Sequence, residues 1–136
     1  MNKERKGITG EILLDGKLVE NWTVYPLTFN RNFIQKIYTN DKYFPISSLT
    51  KPPCLLRTNL KIEGPVPKDT FLQMEGWGKG IVFVNEHHLG RYWSIGPQKT
   101  LFVPAPYLKA GYNSIIVFEE EKIGKYVSFL DHPLLT

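Results

Sequence analysis

The chain has 136 residues and a formal charge of +4, with 42% hydrophobic and 13% aromatic residues and ten prolines. That length holds one domain with a real core, and the composition excludes a disordered chain and fits an all-β domain better than a helical bundle. No apolar run is long enough to cross a bilayer as a helix, and no charged-then-apolar leader follows Met1, so no signal peptide is expected in the chain. The first six residues are polar and expected to be frayed. They also hold the one dense basic run, Lys3, Arg5 and Lys6; the remaining cations are scattered singly, which argues against a nucleic-acid groove.

Residues 8–14 and 18–25 read as two strands of a hairpin, turned at Asp15-Gly16 and ended by Pro26. Two strands alone are marginal in water, so this hairpin is expected to dock on something. Asn21-Trp22-Thr23 is an N-x-[ST] sequon, which makes Asn21 a candidate glycosylation site, although a strand position would count against access. Phe29, Phe33, Ile34, Ile37 and Tyr38 recur at helical spacing; they predict one short amphipathic helix, capped by Thr28 and ended at Asn40-Asp41. Residues 41–53, with Pro45, Pro52 and Pro53, read as a loop.

Residues 54–62 alternate loosely and read as the first strand of a sandwich, followed by a Pro- and Gly-containing connection at 63–69. Short β-rich runs then follow in close succession at 79–85, 89–93, 100–103 and 112–118, the third stopped by Pro104. This spacing predicts an antiparallel β-sandwich. Within the first run, period-two geometry puts Ile81 and Phe83 on one face and Val82 and Val84 on the other. Both faces are apolar, so this strand is expected to be central and covered on both sides.

The residues with chemical potential are few. Cys54 is the one cysteine and reads as a small hydrophobe beside Leu55 and Leu56. His87 and His88 are neighbours on a strand, point to opposite faces and cannot easily share one ion, so no metal site is expected. A retaining glycosidase needs two carboxyl groups about 5–5.5 Å apart. The carboxylates here read as a strand end (Glu75), a hairpin tip (Glu86) and a solvated acidic run (Glu119, Glu120, Glu121). Arg91-Tyr92-Trp93 could stack on a sugar or grip a neighbouring domain's carboxylate; alternatively Tyr92 or Trp93 fills the core, the preferred reading for Trp93. Trp77, held between Gly76 and Gly78, reads as core or interdomain packing.

The strings GWGKG, FVN, LGRYW, IGPQKTLFVP and IIVFE occur in this order between residues 76 and 119, and GITGEILLDG and WTVYPL precede them. Together they resemble the C-terminal β-domain of family 35 glycoside hydrolases, the β-galactosidases, over most of the chain. The resemblance implies a galactose-binding-like jelly roll that accompanies a catalytic (β/α)8 barrel. Such a barrel takes about 250 residues, so the isolated chain is expected to be inactive, with no catalytic residue and no cofactor. The implied organisation is a hairpin and linker from the preceding β-domain at 1–28, a short helix and Pro-rich loop at 29–53, the sandwich at 54–131, and a tail at 132–136.

The implied partners are the barrel and the preceding β-domain, with no nucleic acid and no membrane insertion, in a secreted or lysosomal parent. The expected docking face is broad and exposed, and it includes Trp77, Arg91, Tyr92 and Tyr107. The alternative is a free-standing lectin-like module that binds a β-galactoside through some of the same residues. Three positions depart from the family pattern. Glu86 stands where Gly usually follows FVN, and it would be strained if φ must be positive there. Ala105 and Tyr107 replace Gly and Trp in a PGPW-like loop.

Overall fold

The computed structural model describes residues 7–40, 42–47, 49–65 and 68–135. A hairpin of β1 (Leu13–Leu14) and β2 (Lys17–Leu18) opens the chain, and helix α1 (Arg31–Thr39) follows. The sandwich is built from β3 (Cys54–Ile62), β4 (Thr70–Gln73), β5 (Lys79–Val84), β6 (His87–Trp93), β7 (Thr100–Val103), β8 (Gly111–Glu119) and β9 (Ser128–Leu130). A four-stranded antiparallel sheet in the order β3-β8-β5-β6 faces a three-stranded one in the order β7-β4-β9. The expected all-β sandwich with one short helix is the architecture found.

Local chemistry explains most boundaries. Asp15 (φ 49°) and Gly16 (φ 76°) both take the left-handed conformation that a tight two-residue hairpin needs. The hairpin is far shorter than the two strands expected at 8–14 and 18–25. Only Leu13↔Leu18 and Leu14↔Lys17 pair, because no third strand extends the ladder. Helix α1 starts two residues later than its apolar pattern suggests, because Asn30 rather than Thr28 is the cap. The Asn30 Oδ1 accepts the Phe33 N–H at 2.9 Å. Asn40 closes the helix, and Asp41 lies outside the described residues. β7 ends at Val103, immediately before Pro104.

Alternation along β5 divides the core as expected. Val82 and Val84 join Leu72, Leu101, Val103, Ile115 and Val117 between the two sheets. Phe83 turns to the outer face, where it forms a second buried cluster with Ile34 of α1 and Ile116, and Ile81 packs against that cluster. Helix α1 therefore covers the outer face of the large sheet, and β5 is buried from both sides. The Phe29 ring completes this layer, 5.3 Å from Phe33, 6.1 Å from Phe83 and 5.1 Å from Phe118. The last described residues are tied back to the start of β7: Leu134 N–H donates to Thr100 Oγ1 at 3.1 Å, and Lys99 N–H to the Leu134 carbonyl at 3.2 Å.

Candidate functional site

Two features of the sandwich carry organised polar chemistry, and they lie on opposite faces of the large sheet. The first is internal. Glu119 ends β8 with no exposed surface, and five donors converge on its carboxylate. The Tyr92 hydroxyl donates at 2.7 Å, and the backbone N–H groups of Gly78, Lys79, Glu121 and Lys122 donate at 3.2, 3.1, 2.7 and 2.9 Å. Burial pushes this carboxyl's pKa up, but the bonds from Tyr92, Glu121, Lys122 and Lys79 outweigh it and hold the group below its ordinary value. Burial and the adjacent Glu119 push the Tyr92 phenol the other way, so it remains a donor.

Glu119 does not belong to the solvated acidic run expected from the sequence, because it is fully buried. Its neighbour Glu120 does reach the surface and pairs with Lys79 at 3.2 Å. A carboxylate whose lone pairs are all taken by fixed donors is a structural tie between the loops before β5 and after β8. Gly78 closes the same site, since a Cβ there would stand 2.8 Å from the Glu121 Cβ and 3.0 Å from the Glu119 Oε1.

The second feature is an open cleft of about 740 Å³ on the outer face of the large sheet, beyond the edge of α1. Its floor is the outward row of β3 and β8, including Arg57, Asn59, Tyr112 and Ser114. One wall is the β5–β6 turn with Asn85, Glu86 and His87, and another is the 3₁₀ turn Ala105–Tyr107. Asn85 organises this junction. It holds φ at 52°, its side-chain amide donates to the Tyr107 carbonyl at 2.7 Å and to Asn113 Oδ1 at 3.0 Å, and its Oδ1 accepts the Ser114 N–H at 3.1 Å. Tyr38 of α1 donates its hydroxyl to the Asn85 carbonyl.

The left-handed residue of this turn is therefore Asn85 and not Glu86, so the absent glycine costs no backbone strain. Glu86 is used instead as an anchor. Arg31 of α1 donates to its Oε2 through Nε and pairs through Nη2, both at 2.6 Å, and Gln35 donates at 3.4 Å. The bond from Arg31, then that from Gln35, holds the Glu86 carboxyl below its usual range.

The four residues singled out in the sequence are not brought together. Trp77 and Tyr92 each keep only 7% of their surface and belong to the inter-sheet core, so neither lies on the expected exposed face. Trp77 Nε1 donates to the Tyr126 carbonyl at 2.7 Å, and its ring fills the space beside Gly124. Arg91 is exposed on the outer face of β6, and Tyr107 lies in the wall of the cleft. Trp93, read as core, is half exposed with the Lys79 ammonium 5.4 Å above its ring; Tyr92 takes the core position because it faces inward on the same strand. A β-bulge opposite Val82 and Phe83 resets the register of β6.

His87 and His88 diverge: His87 stacks on Tyr107 at 3.8 Å, and His88 packs on Phe83 at 4.9 Å. Among the described residues no three His, Cys, Asp or Glu side chains gather as metal ligands. Burial, then the Glu119 charge, raises the pKa of the Cys54 thiol, which suits a packing role. Asn21 is exposed and stands outside any strand. Sequence reasoning missed Asn85, Asn113 and Glu119, which combine local bonds with partners distant in the chain; an Asn at a hairpin tip was the one local signal.

The comparisons with known proteins agree with this architecture. A family model described as "Beta-galactosidase, galactose-binding domain" matches residues 53–113. Human beta-galactosidase-1-like protein 2 is 40% identical over 135 residues, covering 99% of this chain and 21% of that protein. Human beta-galactosidase-1-like protein 3 is 37% identical, covering 99% of this chain and 20% of that protein. Beta-galactosidase 17 of Arabidopsis thaliana is 41% identical, with 85% and 18% covered. The chain thus spans about a fifth of the length of the curated relatives it matches. No helix among the described residues is long and apolar enough to cross a membrane. In sequence and in fold, the chain is a β-sandwich domain belonging to the β-galactosidase family, glycoside hydrolase family 35.

Proposed function

We propose that this chain is a non-catalytic accessory domain of a larger β-galactosidase-type enzyme, and that it packs against and supports a catalytic (β/α)8 barrel and a preceding β-domain. The parent reaction in this reading is removal of terminal β-linked galactose with retention of configuration, in a secreted or lysosomal setting. One observation carries it. The segment ahead of the sandwich presents large apolar side chains to solvent, including Trp22 (62% exposed), Tyr25 (84%) and Phe44 (87%), with Leu13, Leu14 and Leu49 beside them in sequence. Exposed apolar surface on this scale marks an interface with its partner removed. The lengths of the relatives support the same view. The docking surface in this reading is therefore the extension ahead of the sandwich, over its described residues 8–40, 42–47 and 49, with the hairpin as its link to the preceding domain.

The test separates the full-length protein into two chains, this one and the remainder. The remainder and this chain, mixed, are expected to co-sediment and to hydrolyse a chromogenic β-galactoside, while this chain alone does not. Turnover by this chain alone, surviving repurification, would overturn the reading. So would co-sedimentation unaltered when Trp22, Tyr25 and Phe44 are all replaced by Ser.

A further inference from the structure

The geometry points to a binding site for an acidic sugar, a hexose carrying a carboxylate or sulfate, in the cleft between the 3₁₀ turn and the outer face of β3 and β8. Arg57 is its centre. Its guanidinium lies 5.2 Å from the Tyr38 ring centroid and 5.1 Å from that of Tyr43, and Nη1 makes long bonds to the Tyr38 carbonyl at 3.4 Å and the Tyr43 hydroxyl at 3.3 Å. These contacts fix the plane of the guanidinium and leave most of its five N–H donors free. Among the described residues no carboxylate stands within 4.0 Å of it. A pre-oriented arginine with no acid partner among the described residues, in the floor of a cleft, is a receptor for an anion.

The walls fit a sugar better than a bare ion. Tyr112 is 65% exposed and offers a ring on which the apolar face of a pyranose can lie. The stacked His87 and Tyr107 rings, 6° from parallel, form a second flat edge. Lys109 adds a further cation without a carboxylate partner among the described residues. The carboxylate that also lines the cleft, Glu86, is already neutralised by Arg31. A concave, aromatic and cationic site with a few converging polar groups is the arrangement a charged saccharide requires. Tyr38 and Tyr43 come from the extension given the accessory role, but none of Trp22, Tyr25 and Phe44, the side chains that carry that role, lines the cleft.

The experiment is an NMR titration of the 136-residue chain with methyl galacturonide, galactose 6-sulfate, neutral methyl galactoside, inorganic sulfate and a short poly-glutamate peptide. Saturable shifts on Arg57, Tyr107 and Tyr112 are expected with both acidic sugars, at dissociation constants on the order of millimolar for one small ring in an open site. The neutral sugar and sulfate are each expected to bind at least about tenfold more weakly. Arg57→Gln is expected to remove the preference for the acidic sugars, and Tyr112→Ala to weaken the two acidic sugars without changing the response to sulfate. Equal binding of the neutral galactoside overturns the role of charge, and equal binding of sulfate overturns the role of the sugar ring. Tighter binding of the peptide reassigns the cleft to a protein partner, and no shifts at all refute the site.

Discussion

Tyr92 and Glu119 meet at 2.7 Å inside the sandwich, phenol to carboxylate, at the point where β6 and the end of β8 flank β5. Neither residue reaches solvent appreciably, and the pair closes a ring that also holds the backbone of Gly78, Lys79, Glu121 and Lys122. The negative charge is stabilised by fixed dipoles and not by a counter-ion, so its contribution depends on every donor being present.

Tyr92→Phe removes one donor and keeps the ring. It is expected to lower stability by about 1.5–3 kcal/mol, the range for hydrogen bonds to a charged group, as measured by urea unfolding at pH 7. A loss below about 0.5 kcal/mol would mean that the four backbone donors suffice without the phenol.

The same carboxylate sets an acid limit. Its folded pKa lies below the ordinary 4.5, so its stabilisation is complete above 4.5 and is lost as pH falls through the folded value. Urea midpoints are therefore expected to show no Glu119-dependent change between pH 7 and 5 and a fall below 4.5. Glu119→Gln, less stable at neutral pH, should lose part of that acid dependence. An identical acid slope in the two proteins would remove Glu119 from the account.

Phe83 is 1% exposed and lies under α1, against Phe29 and His88. Phe83→Ala is expected to cost about 3–5 kcal/mol, read from chemical denaturation. Loss of helical circular dichroism ahead of the global transition would show that the variant first releases α1 from the sheet.

Gly124 faces the Trp77 indole so closely that an added Cβ would overlap the ring. Gly124→Ala is expected to destabilise by about 1–3 kcal/mol through overpacking and to red-shift tryptophan emission. Combined with Trp77→Leu, the cost should be less than additive, because the clash partner is gone. Full additivity would disprove the contact.

On the outer face of β6, Arg91 and Trp93 carry no buried load. Arg91→Ala and Trp93→Ser are each expected to change stability by no more than about 0.5 kcal/mol. A larger loss in this chain would assign them an intramolecular role that the fold does not show.

The parts of this fold legible in the sequence were those set by short-range periodicity. The split of Ile81 and Phe83 from Val82 and Val84 follows from strand geometry alone, and the structure obeys it. The amphipathic pattern from Phe29 to Tyr38 located α1, although the cap two residues inside the pattern moved its start. The polar network was not legible, because it joins local donors to the Tyr92, Gly78 and Lys79 donors that lie far upstream in sequence. Glu119 belongs by composition to a solvated run, and donors some forty positions upstream make it a buried tie. Arg57 is one of the singly scattered cations in the sequence, and only the fold sets Tyr38 and Tyr43 around it. The strands expected ahead of the helix failed for the opposite reason: their local pattern was adequate, and no neighbouring strand completes it.

The pairing of β3 with β8 also fixes the order in which the domain can be completed. β3 is an edge strand, and its nine ladder pairs all join it to β8, from Cys54↔Glu119 to Ile62↔Gly111, at sequence separations of 49 to 65. During synthesis β3 leaves the ribosome with no strand to join, while β5 and β6 can close their own hairpin at once. Only when residues 111–119 emerge does one strand slot between β3 and β5 and convert two separate pieces into a sheet. Until then both carry unpaired edges, so a ribosome stalled before residue 111 displays a nascent chain open to chaperone capture or edge-to-edge association.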